Sequence, residues 1–195
     1  MVEESLSVIV LAGPNEAGKT TAARTLLAEN LRLMTFVNAD VIAQGLAGFD
    51  PDSAAVEASR IMLERLYLLA QQREDFAFET TLAARSYASW LGKLRQDGYQ
   101  VHLVYFWLAS ADLAVARVAE RVRLWGHGVP ERTIRQRYTR SLRNFFDLYL
   151  PLARTWQVYD NTQAGQSQMI AFRDEMETET ILLESLWTHT QELAK

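Results

Sequence analysis

The sequence predicts an α/β fold in which a mainly parallel sheet is flanked by helices. Three observations carry that expectation. Gly13-Pro14-Asn15-Glu16-Ala17-Gly18-Lys19-Thr20 fits G-x-x-x-x-G-K-[ST], the phosphate-binding loop. Short apolar runs alternate with amphipathic stretches of helical period, the pattern of strands joined by helical crossovers. Polar residues and turn formers collect where those runs end, at the carboxyl ends of the strands, where ligands bind in such sheets.

The elements follow in order. Ser7 to Ala12 is a β-branched apolar run that reads as a buried strand. Thr21 to Glu29 reads as helix. Strand, loop, helix is the arrangement a phosphate site needs, because loop N–H groups and the positive end of a helix then face the anion. Thr35 to Asn38 is a second strand, ending in Ala39-Asp40, and Val41 to Gln44 is a short helical turn closed by Gly45 and Gly48. Asp50-Pro51-Asp52-Ser53 opens a helix to about Gln72, with Ala58, Ile61, Met62, Leu66 and Leu69 on one buried face. Phe76 to Glu79 is the third strand, followed by Thr80-Thr81. A helix from about Arg85 to Gln96 stops at Asp97-Gly98. Gln100 to Leu108 is a long apolar strand, expected to be central. Ser110 caps the next helix, with Asp112 in its first turn. Gly126-His127-Gly128-Val129-Pro130 breaks it, and another helix runs from Glu131 to about Asp147. Gln157 to Asp160 is a fifth strand, Gln168 to Phe172 a sixth, and Glu175 to Lys195 reads as a terminal helix.

The chain has 195 residues and 49% apolar content, enough for one domain with a full core. No apolar run is long enough to span a membrane, and no leader pattern stands at the N-terminus. Cysteine is absent, which excludes disulfides and thiolate metal sites and accords with the cytoplasm as the expected compartment. A net charge of −4 argues against general nucleic-acid binding, and no specific nucleic acid is expected. Eight arginines nevertheless lie between 117 and 143. Guanidinium forks suit phosphate, although most of the eight read as a solvated helical face.

Lys19 is expected to reach the β- and γ-phosphates, and the Thr20 hydroxyl to hold Mg²⁺. Asp40 stands beside the loop and could accept a proton from an acceptor hydroxyl; it could equally cap the following helix. Glu79, with Thr80 after it, could serve the Mg²⁺ shell or a substrate hydroxyl, or be a surface charge. Arg117 and Arg121 share a helix face, and Arg137 lies on the next helix, so the segment from about 110 to 147 could form an arginine-bearing lid. Protein-kinase and GTPase signature motifs are missing, and three scattered histidines make no zinc pattern.

Taken together, Gly13 to Thr21, Phe36-Val37-Asn38-Ala39-Asp40, Phe78-Glu79-Thr80-Thr81-Leu82, Gly98-Tyr99, Arg117 to Arg123, Gly126 to Pro130, Arg137-Tyr138-x-Arg140-Ser141-Leu142 and Tyr159-Asp160-Asn161 resemble the zeta toxin family of phosphotransferases, over roughly residues 7 to 161. The resemblance implies a nucleoside-kinase-like P-loop fold with a helical lid and an ATP- or GTP-dependent kinase. It implies an acceptor such as UDP-N-acetylglucosamine and an antitoxin partner. By match, Gly13, Pro14, Asn15, Glu16, Ala17, Gly18, Lys19, Thr20 and Thr21 hold the nucleotide with Arg117. Lys19, Arg121 and Arg137 assist transfer, Asp40 is the base, and Glu79 and Thr80 contact substrate. Three positions depart from the family: Glu16 replaces a loop glycine, Trp125 stands where a glycine often precedes Gly-His, and Gln136 replaces one of two adjacent arginines.

The residues thus point to a kinase acting on a small acceptor. Another metabolite or an antibiotic is the alternative substrate, and a nucleotide-dependent binding module the alternative class, supported by Glu16 and Gln136. Lys19→Ala is expected to abolish nucleotide binding or transfer with the fold intact; unchanged ATP affinity and turnover, by calorimetry and assay, would end the kinase reading.

Overall fold

The computed structural model describes residues 6–23, 26–27, 35–48, 50–125 and 128–195. Seven strands form one sheet in the order β2-β3-β1-β4-β5-β6-β7. They are β1 (Leu6–Ala12), β2 (Phe36–Val37), β3 (Phe76–Thr80), β4 (Tyr99–Trp107), β5 (Thr155–Asp160), β6 (Gln168–Arg173) and β7 (Glu179–Ile181). The first five pair in parallel; β6 and β7 are added antiparallel at one edge. The helices are α1 (Lys19–Ala23), α2 (Ala39–Ala47), α3 (Ala55–Gln71), α4 (Ser86–Gln96), α5 (Ala111–Trp125), α6 (Glu131–Asn144) and α7 (Glu184–Glu192). No helix among the described residues is long and apolar enough to cross a membrane.

The central strands are largely apolar because helices cover both faces of a parallel sheet. Val8, Val10, Leu11 and Ala12 of β1 are fully buried, as are Phe76, Ala77 and Phe78 of β3. β4, expected to be central, is the fourth of the seven strands. The apolar stripe of α3 buries Ala58, Met62, Leu66 and Leu69, four of the five positions read from its period; Ile61 lies at the margin of that stripe.

Several boundaries differ from expectation. The first helix starts at Lys19 rather than Thr21; residues 24, 25, 28 and 29 of its expected span lie outside the described residues, as do Gly126 and His127 of the turn. The second helix runs through Gly45 and is closed at Gly48 alone. The terminal helix expected over 175–195 begins only at Glu184. Before it, Asp174 accepts from Glu177 and Thr178, Glu177 takes φ +64, and Glu179–Ile181 pairs with the free edge of β6. The open strand edge outbids local helix propensity there, since a strand beside it satisfies a whole row of backbone groups. α7 then docks by Trp187, which stacks on Trp156 of β5 with ring centroids 5.5 Å apart.

Two features set the site's position. Parallel register places Leu11 beside Glu79 and Ala12 beside both Thr80 and Tyr105, so the strand ends converge where the Gly13 loop departs. The carboxyl half of α6 is bolted to the sheet. Tyr138 Oη donates to the Leu108 carbonyl at 2.7 Å, Tyr105 and Ser141 share a buried hydroxyl bond of 2.9 Å, and Asn144 Nδ2 donates to the Leu82 carbonyl at 2.7 Å. Burial pushes the Tyr138 phenol up to about 12, so it remains a donor at neutral pH. α6 continues as a π-helical turn, Phe145–Tyr149, whose Tyr149 hydroxyl donates to the Ala84 carbonyl. The expected lid of 110–147 therefore includes a segment, from Tyr138 onward, that belongs to the core.

Gly13 cannot carry a side chain. Its φ is +142, and a Cβ there would stand 2.3 Å from the Phe106 carbonyl oxygen of β4. Gly13→Ala is expected to cost at least about 2 kcal/mol, a fall in melting temperature of about 4–8 °C for a chain of this size, measurable by thermal and denaturant unfolding.

Candidate functional site

The loop closes tightly on itself before α1 begins. Ala17 N–H donates to the Pro14 carbonyl at 3.3 Å, and Glu16 takes φ +56, a left-handed conformation uncommon for a residue with a Cβ. Gly18, φ +86, faces Asn161 Nδ2 so closely that a Cβ would lie 2.9 Å from it. Asn161 in turn donates to the Ala17 carbonyl at 2.8 Å, tying the loop to the end of β5.

Lys19, Thr20, Asn38 and Glu79 form one cluster at the mouth of this loop. Lys19 is only 6% exposed; its ammonium donates to the Pro14 carbonyl at 2.7 Å and lies 3.6 Å from Glu79 Oε1. Glu79 Oε2 accepts from both the Thr20 hydroxyl and Asn38 Nδ2, each at 2.7 Å. The β1–β3 register brings Glu79 here, because its neighbour Leu11 lies two residues before Gly13.

Asp40 sits in the first turn of α2, where the helix dipole favours a carboxylate. It does not cap that helix. The cap is Asn38, whose Oδ1 accepts from Asp40 N–H at 2.7 Å and Val41 N–H at 3.3 Å. The Asp40 carboxylate is exposed and makes no hydrogen bond or ion pair among the described residues. Asn38 thus joins three groups, and sequence reasoning did not single it out as a site residue. Its signal was present: asparagine immediately before a helix start is a preferred N-cap.

The arginines divide sharply. Arg117 spends its guanidinium on three carbonyls: Glu16 at 3.2 Å and Asn161 and Thr162 at 2.9 Å each. It braces the loop against the end of β5. Arg121, one turn further along α5, pairs with the Glu16 carboxylate at 2.7 Å. Arg135 bridges Asp112 and Glu131, Arg123 pairs with Glu120, and Arg143 donates to the Lys195 carbonyl. Arg137 is half-buried and makes no hydrogen bond or ion pair among the described residues.

Beyond β3 the chain makes a strained loop. Thr80 Oγ1 accepts from Leu82 N–H at 3.1 Å, and Leu82, fully buried, takes φ +58. Asn144 and Tyr149 hold this loop through the carbonyls of Leu82 and Ala84. Thr80 is therefore a loop-shaping group at the strand end, while Thr21 is an exposed residue of α1. Neither bracing residue, Asn144 or Tyr149, carries a local sequence signal, because each acts across more than 60 positions of chain.

The cradle fits a nucleotide triphosphate: glycines at 13 and 18 where a Cβ has no room, and a buried lysine behind them. The Thr20 hydroxyl and Glu79 carboxylate fit Mg²⁺, which takes oxygen ligands and few protein groups. Among the described residues no group of three His, Cys, Asp or Glu could hold a metal by itself, so an ion here would lean on Thr20, Glu79, phosphate oxygens and water.

Fold and loop together define a P-loop protein of the nucleoside-kinase-like architecture. Residues 8–145 match the AAA domain family, and the chain belongs to it. An uncharacterized protein of Haemophilus influenzae is 26% identical over 130 residues, covering 67% of this chain and 91% of that one. Among solved structures, the AvrRxo1-ORF1:ORF2 complex with ATP superposes with a TM-score of 0.75 at 15% identity, over 96% of this chain; the chain spans 64% of that relative's length. The PezAT chromosomal toxin–antitoxin system of Streptococcus pneumoniae superposes with a TM-score of 0.63 at 16% identity, over 98% of this chain and 78% of that one. At these identities the likeness is one of fold, and the zeta-toxin resemblance holds at that level.

Arg117→Ala is expected to cost about 2 kcal/mol or more, since three carbonyls lose a charged donor, and to weaken nucleotide binding through the slackened loop. Arg143→Ala should stay within about 0.5 kcal/mol of the parent. Chemical denaturation and nucleotide titration of the two variants compare them directly.

Proposed function

We propose that the protein is a P-loop kinase that moves the γ-phosphate of ATP or GTP to a hydroxyl of a small acceptor, with a nucleotide sugar such as UDP-N-acetylglucosamine as the first candidate. The observation that carries this reading is the cluster of Lys19, Thr20, Asn38 and Glu79 at the mouth of the Gly13–Thr20 loop. A buried lysine facing a phosphate cradle, with an oxygen donor pair beside it, suits a Mg²⁺–triphosphate and little else.

In this reading the loop N–H groups and Lys19 hold the β- and γ-phosphates. Bound Mg²⁺, on Thr20 and Glu79, would supply neutralising charge. Asp40 accepts the acceptor's proton as its oxygen bonds to the γ-phosphorus and the bond to the departing nucleoside diphosphate breaks. The carboxylate is suited to that task because Asn38 takes over the capping of α2 and leaves it free. Arg137 is half-buried and without a partner among the described residues, so it can turn to a phosphate with no bond to break first; Arg132 and Arg140 are also without partners there but exposed. Arg121 reaches phosphate only by leaving Glu16. The loop after β3, held by Asn144 and Tyr149, lines the acceptor side together with Thr80.

An antitoxin protein is the partner this reading favours; PezAT, a toxin–antitoxin system of the same fold, supports it. The binding-module alternative rested on Glu16 and Gln136. Arg121 compensates the Glu16 charge within the protein, which favours the enzyme.

Transfer of label from [γ-³²P]ATP into a panel of nucleotide sugars, other metabolites and antibiotics tests the function. Asp40→Asn should keep ATP binding and lose transfer by a factor on the order of 10² to 10⁴. Arg137→Ala should lower kcat more than nucleotide affinity. ATP binding without transfer to any acceptor would leave the protein a binding module.

A further inference from the structure

The phosphate loop carries a carboxylate of its own, and α5 grips that residue twice. Arg117 Nη1 donates to the Glu16 carbonyl at 3.2 Å, and Arg121 Nε donates to Glu16 Oε1 at 2.7 Å. Arg117 and Arg121 are four residues apart, so both come from one face of α5. Glu16 pays for its place, since it holds φ +56, a conformation that glycine enters freely and a residue with a Cβ does not. A negative side chain inside a loop that must receive phosphate is also electrostatically costly. Both costs persist in a chain where glycine would remove them.

The two contacts differ in kind. Arg117 is saturated by three carbonyls and holds the backbone. Arg121 is 42% exposed and Glu16 33%, so their pair is open to water, salt and a competing anion. A phosphate oxygen offers Arg121 the same charge-assisted bond that Glu16 offers. The one guanidinium therefore faces two anionic partners, and only one belongs to the protein.

We infer that Glu16 is an internal competitor for phosphate: it holds Arg121 on the loop, and a nucleotide gains that arginine only by displacing the carboxylate. The inference rests on the kinase reading above and adds to the same site a device that sets its affinity for triphosphate. The displacement must be driven by anionic charge at the outer end of the nucleotide. A triphosphate has one more phosphoryl group than a diphosphate with which to drive it. Glu16 thus lowers the affinity for triphosphate, which must break the pair to gain Arg121, more than that for diphosphate, and narrows the difference between the two. Arg117, unaffected by the exchange, keeps the loop backbone in place as Arg121 moves.

Calorimetric titration of MgATP and MgADP into the wild type, Glu16→Gln and Glu16→Gly at low and high salt tests this. Glu16→Gln keeps the shape and removes the charge; Glu16→Gly also removes the backbone cost and answers for Glu16→Gln should that variant fail to fold. MgATP should bind about three- to tenfold more tightly to either variant. MgADP should gain less, and both gains should shrink at high salt. Adding Arg121→Ala to Glu16→Gln should erase the gain. Unchanged or weaker MgATP binding in both variants, beside a wild type that binds saturably, overturns the competitor role. Equal gains for MgATP and MgADP also overturn it, because they leave only general repulsion. A wild type that does not bind MgATP at all overturns the kinase reading, and this inference with it.

Discussion

A lysine ammonium that is 6% exposed needs compensation, and the site is built around providing it. The Pro14 carbonyl and the Glu79 carboxylate receive Lys19, and Glu79 also receives Thr20 and Asn38. Removing either charge would leave the other buried without its counter-charge, which costs far more than the pair contributes. The geometry that permits this is the β1–β3 register. A slip of one residue would turn Glu79 to the opposite face and leave the lysine unanswered. The phosphate cradle, the α2 cap and the strand register are thus one interlocked arrangement, because Asn38 belongs to all three through Glu79 and the N-terminus of α2.

The arginine-rich stretch shows how one residue type serves different ends by context. Arg117 is a structural brace, since carbonyl oxygens fill its donors. Arg121 answers a charge that the loop itself introduces. Arg135 and Arg123 sit in exposed pairs on the helix surfaces, where an ion pair contributes little. Only Arg137 combines partial burial with the lack of a partner among the described residues. The tertiary environment sorts them, and the helix α6 that carries Arg137 is fixed to the sheet at Tyr138, Ser141 and Asn144. The fixed part of α6 therefore begins one residue beyond Arg137.

Much was legible beforehand. The phosphate loop announces itself through glycines whose necessity the structure explains, one against the β4 backbone and one against Asn161. The alternation of apolar runs with helical periods led to a mainly parallel sheet with β4 at its centre, and the six strands read from the sequence are there, with β7 added. The terminal helix was not legible over its full length. Glu175 to Ile181 has ordinary helix-compatible composition, and only the open edge of β6 makes a strand there the better solution.

What the sequence determined by itself is local: a strand followed by a loop whose glycines permit close approach, and a lysine and threonine at the start of a helix. Local spacing suffices for these because the interacting groups lie within a few residues. What only the tertiary structure decided is who meets whom over long separations. Glu79 meets Thr20 across 59 positions, Arg117 meets Glu16 across 101, and Asn161 meets Ala17 across 144. The pairing of Arg121 with the out-of-place Glu16 belongs to the same class. No periodicity encodes such contacts. They follow from sheet register and helix placement, which are settled by burial of the whole core rather than by any single stretch of chain.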